Sequence, residues 1–85
     1  MKAIVNTAPG KLELRDWPRP EPGRDQVRIR TAAFGICATD LEMIAGCPRS
    51  HVPQVLGHEW AGVVDAAGEG ADPALVGRPC VAENV

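Results

Sequence analysis

The sequence predicts a mainly β chain, folded as a small, partly open barrel with one short helix. Three observations carry that expectation. Apolar residues recur at alternate positions over short runs, Gly and Pro punctuate those runs, and helical periodicity shows only briefly. With 85 residues and 45% hydrophobic content, the chain supports one small domain that buries roughly 60–65% of its unfolded surface.

The elements follow in order. Ala3-Ile4-Val5 opens as a short apolar run, and KLELRD alternates Leu12 and Leu14 with Glu13 and Arg15, as in a ribbon with one wet face. A turn at Pro9-Gly10 would pair the two as a hairpin. Pro18, Pro20 and Pro22 remove ladder donors at every second position, so WPRPEPGRD reads as an extended surface connection. QVRIRTAAF places Val27, Ile29, Thr31 and Ala33 on one face against Arg28 and Arg30 on a solvated one, a strand ending at Gly35.

The period then changes. Thr39-Asp40-Leu41-Glu42 fits the S/T-x-x-E capping box, which predicts a helix from about Asp40 to Ala45, with Thr39 as its cap and Gly46 as its stop. PQVLGHEWAGVVDAAG is rich in β formers but broken by Gly57 and Gly62, as in a strand that bulges or bends at a barrel corner. GEGADP lacks the third glycine of a dinucleotide fingerprint and runs into Asp72-Pro73, so Gly68 to Gly70 read as a turn. VGRPCVAENV reads as a last short strand, confined by Pro79 to an edge or a bulge.

Charge and composition exclude several classes. The net charge is −2 and the basic residues are interspersed with acids, which leaves no stripe for a phosphate backbone and excludes nucleic acid as a partner. No apolar run approaches the roughly 18 residues of a membrane span, and the N-terminus lacks a secretory h-region; no membrane partner is expected, and the reading is cytoplasmic. Three cysteines at irregular spacing argue against a closed disulfide framework and for reduced thiols.

The stretch from Cys37 to Trp60 holds two of those cysteines and both histidines. Cys37 and His58 are residue types that bind zinc, although their separation matches no short finger pattern. Cys37 follows a strand end and precedes a helix; His58 follows Gly57, where a backbone can bend. Strand ends commonly carry functional side chains. Taken alone, the residues leave both a metal site and ordinary core or loop roles open. Cys47 and Cys80 read as buried apolar residues, His51 as a solvated loop residue, and Trp60 as a packing residue.

GICATD at Gly35 to Asp40, P-x-V-L-G-H-E at Pro53 to Glu59, and AGVV followed by GEGA resemble the zinc-dependent medium-chain alcohol and polyol dehydrogenases. The resemblance covers residues 1–85 and implies the N-terminal part of the GroES-like catalytic β-barrel, incomplete here and without the Rossmann domain. It implies Cys37 and His58 as ligands of a catalytic Zn2+, with Glu59 either a third direct ligand or a carboxylate beside the metal that exchanges with its water. Thr39 matches the hydroxyl that accepts the alcohol proton. Asp40 matches the acid that orients the zinc-bound histidine. Adjacent strand residues point to opposite faces, so His58 and Glu59 could share one metal only if Gly57 or Gly62 permits a bulge.

The chemistry so implied is oxidation of a small alcohol or polyol, with zinc as Lewis acid and hydride passing to NAD(P). Glu42 stands where polyol and threonine dehydrogenases commonly carry a relay histidine, and Ala38 replaces a common glycine. The four-cysteine structural zinc lobe of many relatives would follow VAENV. On this reading the 85 residues are a fragment, inactive alone, that either self-associates or needs a complementing coenzyme-binding domain. Two other classes compete: a zinc-free relative of the quinone reductase type, which would lack these ligands, and a non-enzymatic GroES-like assembly module, which would form defined oligomers without metal.

Overall fold

The computed structural model describes residues 1–83. They form β1 (Lys2–Ala8), β2 (Lys11–Asp16), β3 (Val27–Gly35), α1 (Ala38–Ala45), β4 (Glu59–Ala67), a single 3-10 turn (Pro73–Leu75) and β5 (Pro79–Val81). Mainly β character with one short helix is therefore the observed class. Contacts cluster in two compact units, each assembled from two separated stretches: Met1–Arg19 with Ile36–Gly57, and Pro20–Gly35 with residues 58–83.

The first unit holds the predicted hairpin. β1 and β2 pair antiparallel, with Ala8 opposite Lys11 across Pro9-Gly10, and Gly10 takes the left-handed φ of 75° that such a tight turn requires. The alternation of KLELRD does not put its leucines inside: Leu12 and Leu14 are 50% and 67% exposed, and Glu13 alone is partly covered. The reason lies across the ladder. Val5, opposite Glu13 and fully buried, turns that face of the ribbon inward, which leaves Ile4, Leu12 and Leu14 on the solvent side.

Helix α1 begins earlier than the sequence suggests. Cys37 is its N-cap, with extended backbone, and the Asp40 carboxylate accepts the Cys37 N–H at 3.1 Å. Asp40, not Glu42, is thus the acid that closes the first turn, and Thr39 lies inside the helix rather than capping it. The stop is as expected: Gly46 adopts φ 97°, and the N–H groups of Gly46 and Cys47 return to the carbonyls of Met43 and Glu42. The Gly10 N–H donates to the Ile44 carbonyl at 2.7 Å, tying hairpin to helix.

The second unit is an antiparallel sheet ordered β3-β4-β5, with Val64 at its core. Two irregularities bend it. β4 carries Asp65 as an extra residue between the pairs Arg28↔Ala66 and Ile29↔Val64, and β3 carries Ala32 between Thr31↔Gly62 and Ala33↔Ala61. Asp65 has a partner for its carboxylate: Arg28 Nε donates to it at 2.8 Å while Nη1 reaches Glu21 at 3.2 Å. Arg28 is therefore not the freely solvated residue expected; its side chain is 16% exposed, and the Asp65 carboxylate, ahead of Glu21, pushes its pKa up. This pairing also fastens the proline-rich connection, because Nη1 lies 3.4 Å from the Pro20 carbonyl.

β5 is the edge strand and Pro79 lies in it, as expected. Residues 68–71 form the expected turn, closed by an Ala71 N–H bond to the Gly68 carbonyl at 3.1 Å. The last two residues of VGRPCVAENV lie outside the described residues. Among the described residues no helix is long and apolar enough to cross a membrane.

Candidate metal centre

The β3–β4 ladder ends at the pair Gly35↔Glu59. Cys37 follows Gly35 by two residues, so its Cα lies no more than about 7 Å from that of Gly35 along the chain. His58 immediately precedes Glu59. Covalent connection thus puts Cys37 two residues beyond one strand of this pair and His58 one residue ahead of the other.

His58 and Glu59 escape the alternation that would send them to opposite faces. β4 starts at Glu59, and His58 sits outside it, after a Gly57 with φ 129°. A His58 ring nitrogen and a Glu59 carboxylate oxygen lie within 4.8 Å of one another. Gly57 is the residue that permits this; Gly62 serves the sheet bend instead.

The Glu59 carboxylate folds back across the neighbouring strand. A Cβ placed on Gly35 would meet Glu59 Oε2 at 3.3 Å, so the bare backbone of Gly35 leaves the carboxylate its place. On the Cys37 side, the half-buried thiol sits at the helix N-terminus, where the macrodipole favours negative charge. The Cys37 carbonyl accepts the Asp40 N–H at 3.1 Å, and Asp40 is only 4% exposed. Thr39 is exposed on the first turn.

A thiolate, an imidazole and a carboxylate form a donor set that suits Zn2+ and leaves a fourth tetrahedral position open. The space at Gly35 agrees with that set, since it accommodates the carboxylate. The residues present fit the metal.

The other candidates lie elsewhere in chemistry. His51 is exposed, as expected of a loop residue. Cys47 and Cys80 are not buried: both are half-covered. The Cys47 thiol lies 3.5 Å from Met43 Sδ and 3.7 Å from Ser50 Oγ, contacts that finish the helix end. Sequence reasoning missed Asn6 and Gln54, whose side chains pair at 2.9 Å. The available signal was a polar amide inside the apolar run AIVNTA.

Similar proteins share this fold. The structure of the alcohol dehydrogenase rspB from E. coli CFT073, complexed with NADH, superposes with a TM-score of 0.87 at 36% identity, over 95% of this chain and 23% of that one. Zinc dependent alcohol dehydrogenase 2 from Streptococcus pneumonia, in its apo form, gives 0.86 at 32% identity, over 95% and 24%. Galactitol-1-phosphate dehydrogenase from Escherichia coli gives 0.84 at 34%, over 95% and 24%. The chain spans about a quarter of the length of the curated relatives it matches. The alcohol dehydrogenase GroES-like domain matches residues 23–85, from ahead of β3 through the ladder that ends at Glu59 and on to the C-terminus, and the chain belongs to that family.

Proposed function

We propose that this chain is the zinc-binding catalytic part of an NAD(P)-dependent alcohol or polyol dehydrogenase, with Cys37, His58 and Glu59 as ligands. The observation that supports the reading is the Gly35↔Glu59 pair, with His58 next to Glu59 and Cys37 two residues beyond Gly35 along the chain. When bound, the metal supplies Lewis-acid chemistry that lowers the pKa of a substrate hydroxyl. Thr39 takes the hydroxyl proton and passes it to solvent from its exposed position on α1. Asp40 orients the His58 ring while holding the helix start, and Glu59 is the third ligand.

Nicotinamide chemistry belongs to the cofactor, and these 85 residues carry no dinucleotide fingerprint. The chain's setting is the cytoplasm, with the thiols reduced.

Zinc per chain, measured by elemental mass spectrometry on the protein and on Cys37→Ala prepared identically, tests the reading. Near-stoichiometric zinc that is lost in the variant supports it. Folded protein without zinc returns the choice to a zinc-free reductase relative or an assembly module. A second substitution probes the carboxylate: Gly35→Val is expected to push Glu59 aside and lower zinc affinity roughly tenfold, read by competition with a chromophoric chelator. Unchanged affinity would place Glu59 outside the coordination sphere.

A further inference from the structure

Asn6 is 1% exposed in a β-strand, where an apolar residue would cost less to bury unless every polar atom is matched. Each is matched. Nδ2 donates to the carbonyls of Ala8 and Lys11, both at 2.9 Å, across the irregular register between Asn6 and Ala8. Oδ1 accepts from Gln54 Nε2 at 2.9 Å. The two backbones also exchange a pair of bonds, Asn6 N–H to the Gln54 carbonyl at 2.8 Å and Gln54 N–H to the Asn6 carbonyl at 3.0 Å.

The hairpin does not need Gln54 for its own pairing, since β1 and β2 already pair from Lys2 to Asn6 and again at Ala8. What the clamp fixes is the incoming chain. Only Val55, Leu56 and Gly57 separate Gln54 from His58, and Glu59 is already held by its pairing with Gly35. The six residues from Gln54 to Glu59 are thus pinned at both ends, with His58 inside them.

We propose that the Asn6–Gln54 side-chain pair is a positioning device for His58: it limits where the imidazole can stand and so tightens metal binding without touching the metal. The inference rests on the zinc reading above. Gln54→Ala removes the side-chain bond and leaves both backbone bonds in place, so the fold is retained. Zinc and cobalt(II) affinities would be measured by chelator competition, together with the visible spectrum of the cobalt form and the melting temperature of metal-free protein.

Expected are an affinity loss of roughly tenfold or more, altered cobalt bands and a metal-free melting temperature near that of the parent. Parent-like zinc affinity and spectrum in Gln54→Ala, with binding lost in His58→Ala, would overturn the clamp and leave the zinc reading standing. A melting temperature that falls in step with affinity would reduce the pair to ordinary structure and likewise overturn it. Failure of the parent protein to bind zinc would overturn both.

Discussion

Gly62→Ala is expected to be among the most damaging single substitutions in this chain. A Cβ there would overlap the Arg30 carbonyl oxygen and lie 2.7 Å from Ile29 Cγ2. The first obstacle is backbone in the paired strand, which no rotamer change can relieve. β3 and β4 must part at the bend opposite Ala32, or the register must slip and send every following side chain to the wrong face. Overpacking of this kind costs about 3 kcal/mol. A domain this small holds only about 5 kcal/mol in all, so the variant should melt far below the parent or accumulate as insoluble protein. Gly10→Asn is the matched control: φ is 75°, nothing stands within 4 Å of a new Cβ, and asparagine tolerates that backbone. Its urea midpoint should stay close to the parent's. Equal midpoints for Gly62→Ala and the parent would show that the strands do not approach this closely.

The second large effect concerns the histidine and its neighbour. His58→Ala should abolish cobalt(II) and zinc binding at micromolar protein, because two remaining donors cannot complete a tetrahedral site. Glu59→Gln separates the two roles open to the carboxylate. As a direct ligand, Glu59 is expected to weaken binding by at least tenfold on neutralisation and to change the visible cobalt bands, since a carboxylate oxygen leaves the coordination sphere. Retained affinity with unchanged bands would leave Glu59 beside the metal and require a third ligand from outside these residues.

Much of this arrangement was legible in the sequence, and the failures have physical causes. Pro9-Gly10 and Gly46 declared themselves because their backbone demands are local. The end of β3 at Gly35 was readable for the same reason. Which face of KLELRD turns inward was not, because Val5 across the ladder decides it. The helix start was misplaced because two acids compete for the capping role, and burial of Asp40 settles the contest. Arg28 looked solvated because its partner Asp65 projects from a bulge, and bulge positions leave little trace in alternation. For the site itself, the motifs named Cys37, His58 and Glu59, while the pairing of Gly35 with Glu59 came only from the register. Asn6 and Gln54 pair across 48 positions, beyond the reach of any local pattern.

The interleaved order of the two units has a consequence for synthesis. The chain passes from one unit to the other after Arg19, after Gly35 and again after Gly57. Neither unit is complete when its first stretch emerges from the ribosome: the hairpin waits for Ile36–Gly57, and β3 waits for β4. Cys37 and His58 each follow one of the last two passages. At about 5–20 residues per second, β3 is exposed without its partner strand for seconds. Its unpaired ladder groups and the exposed Phe34 are then open to the wrong neighbour, so the yield of folded protein should depend on how fast the chain is delivered beyond β4.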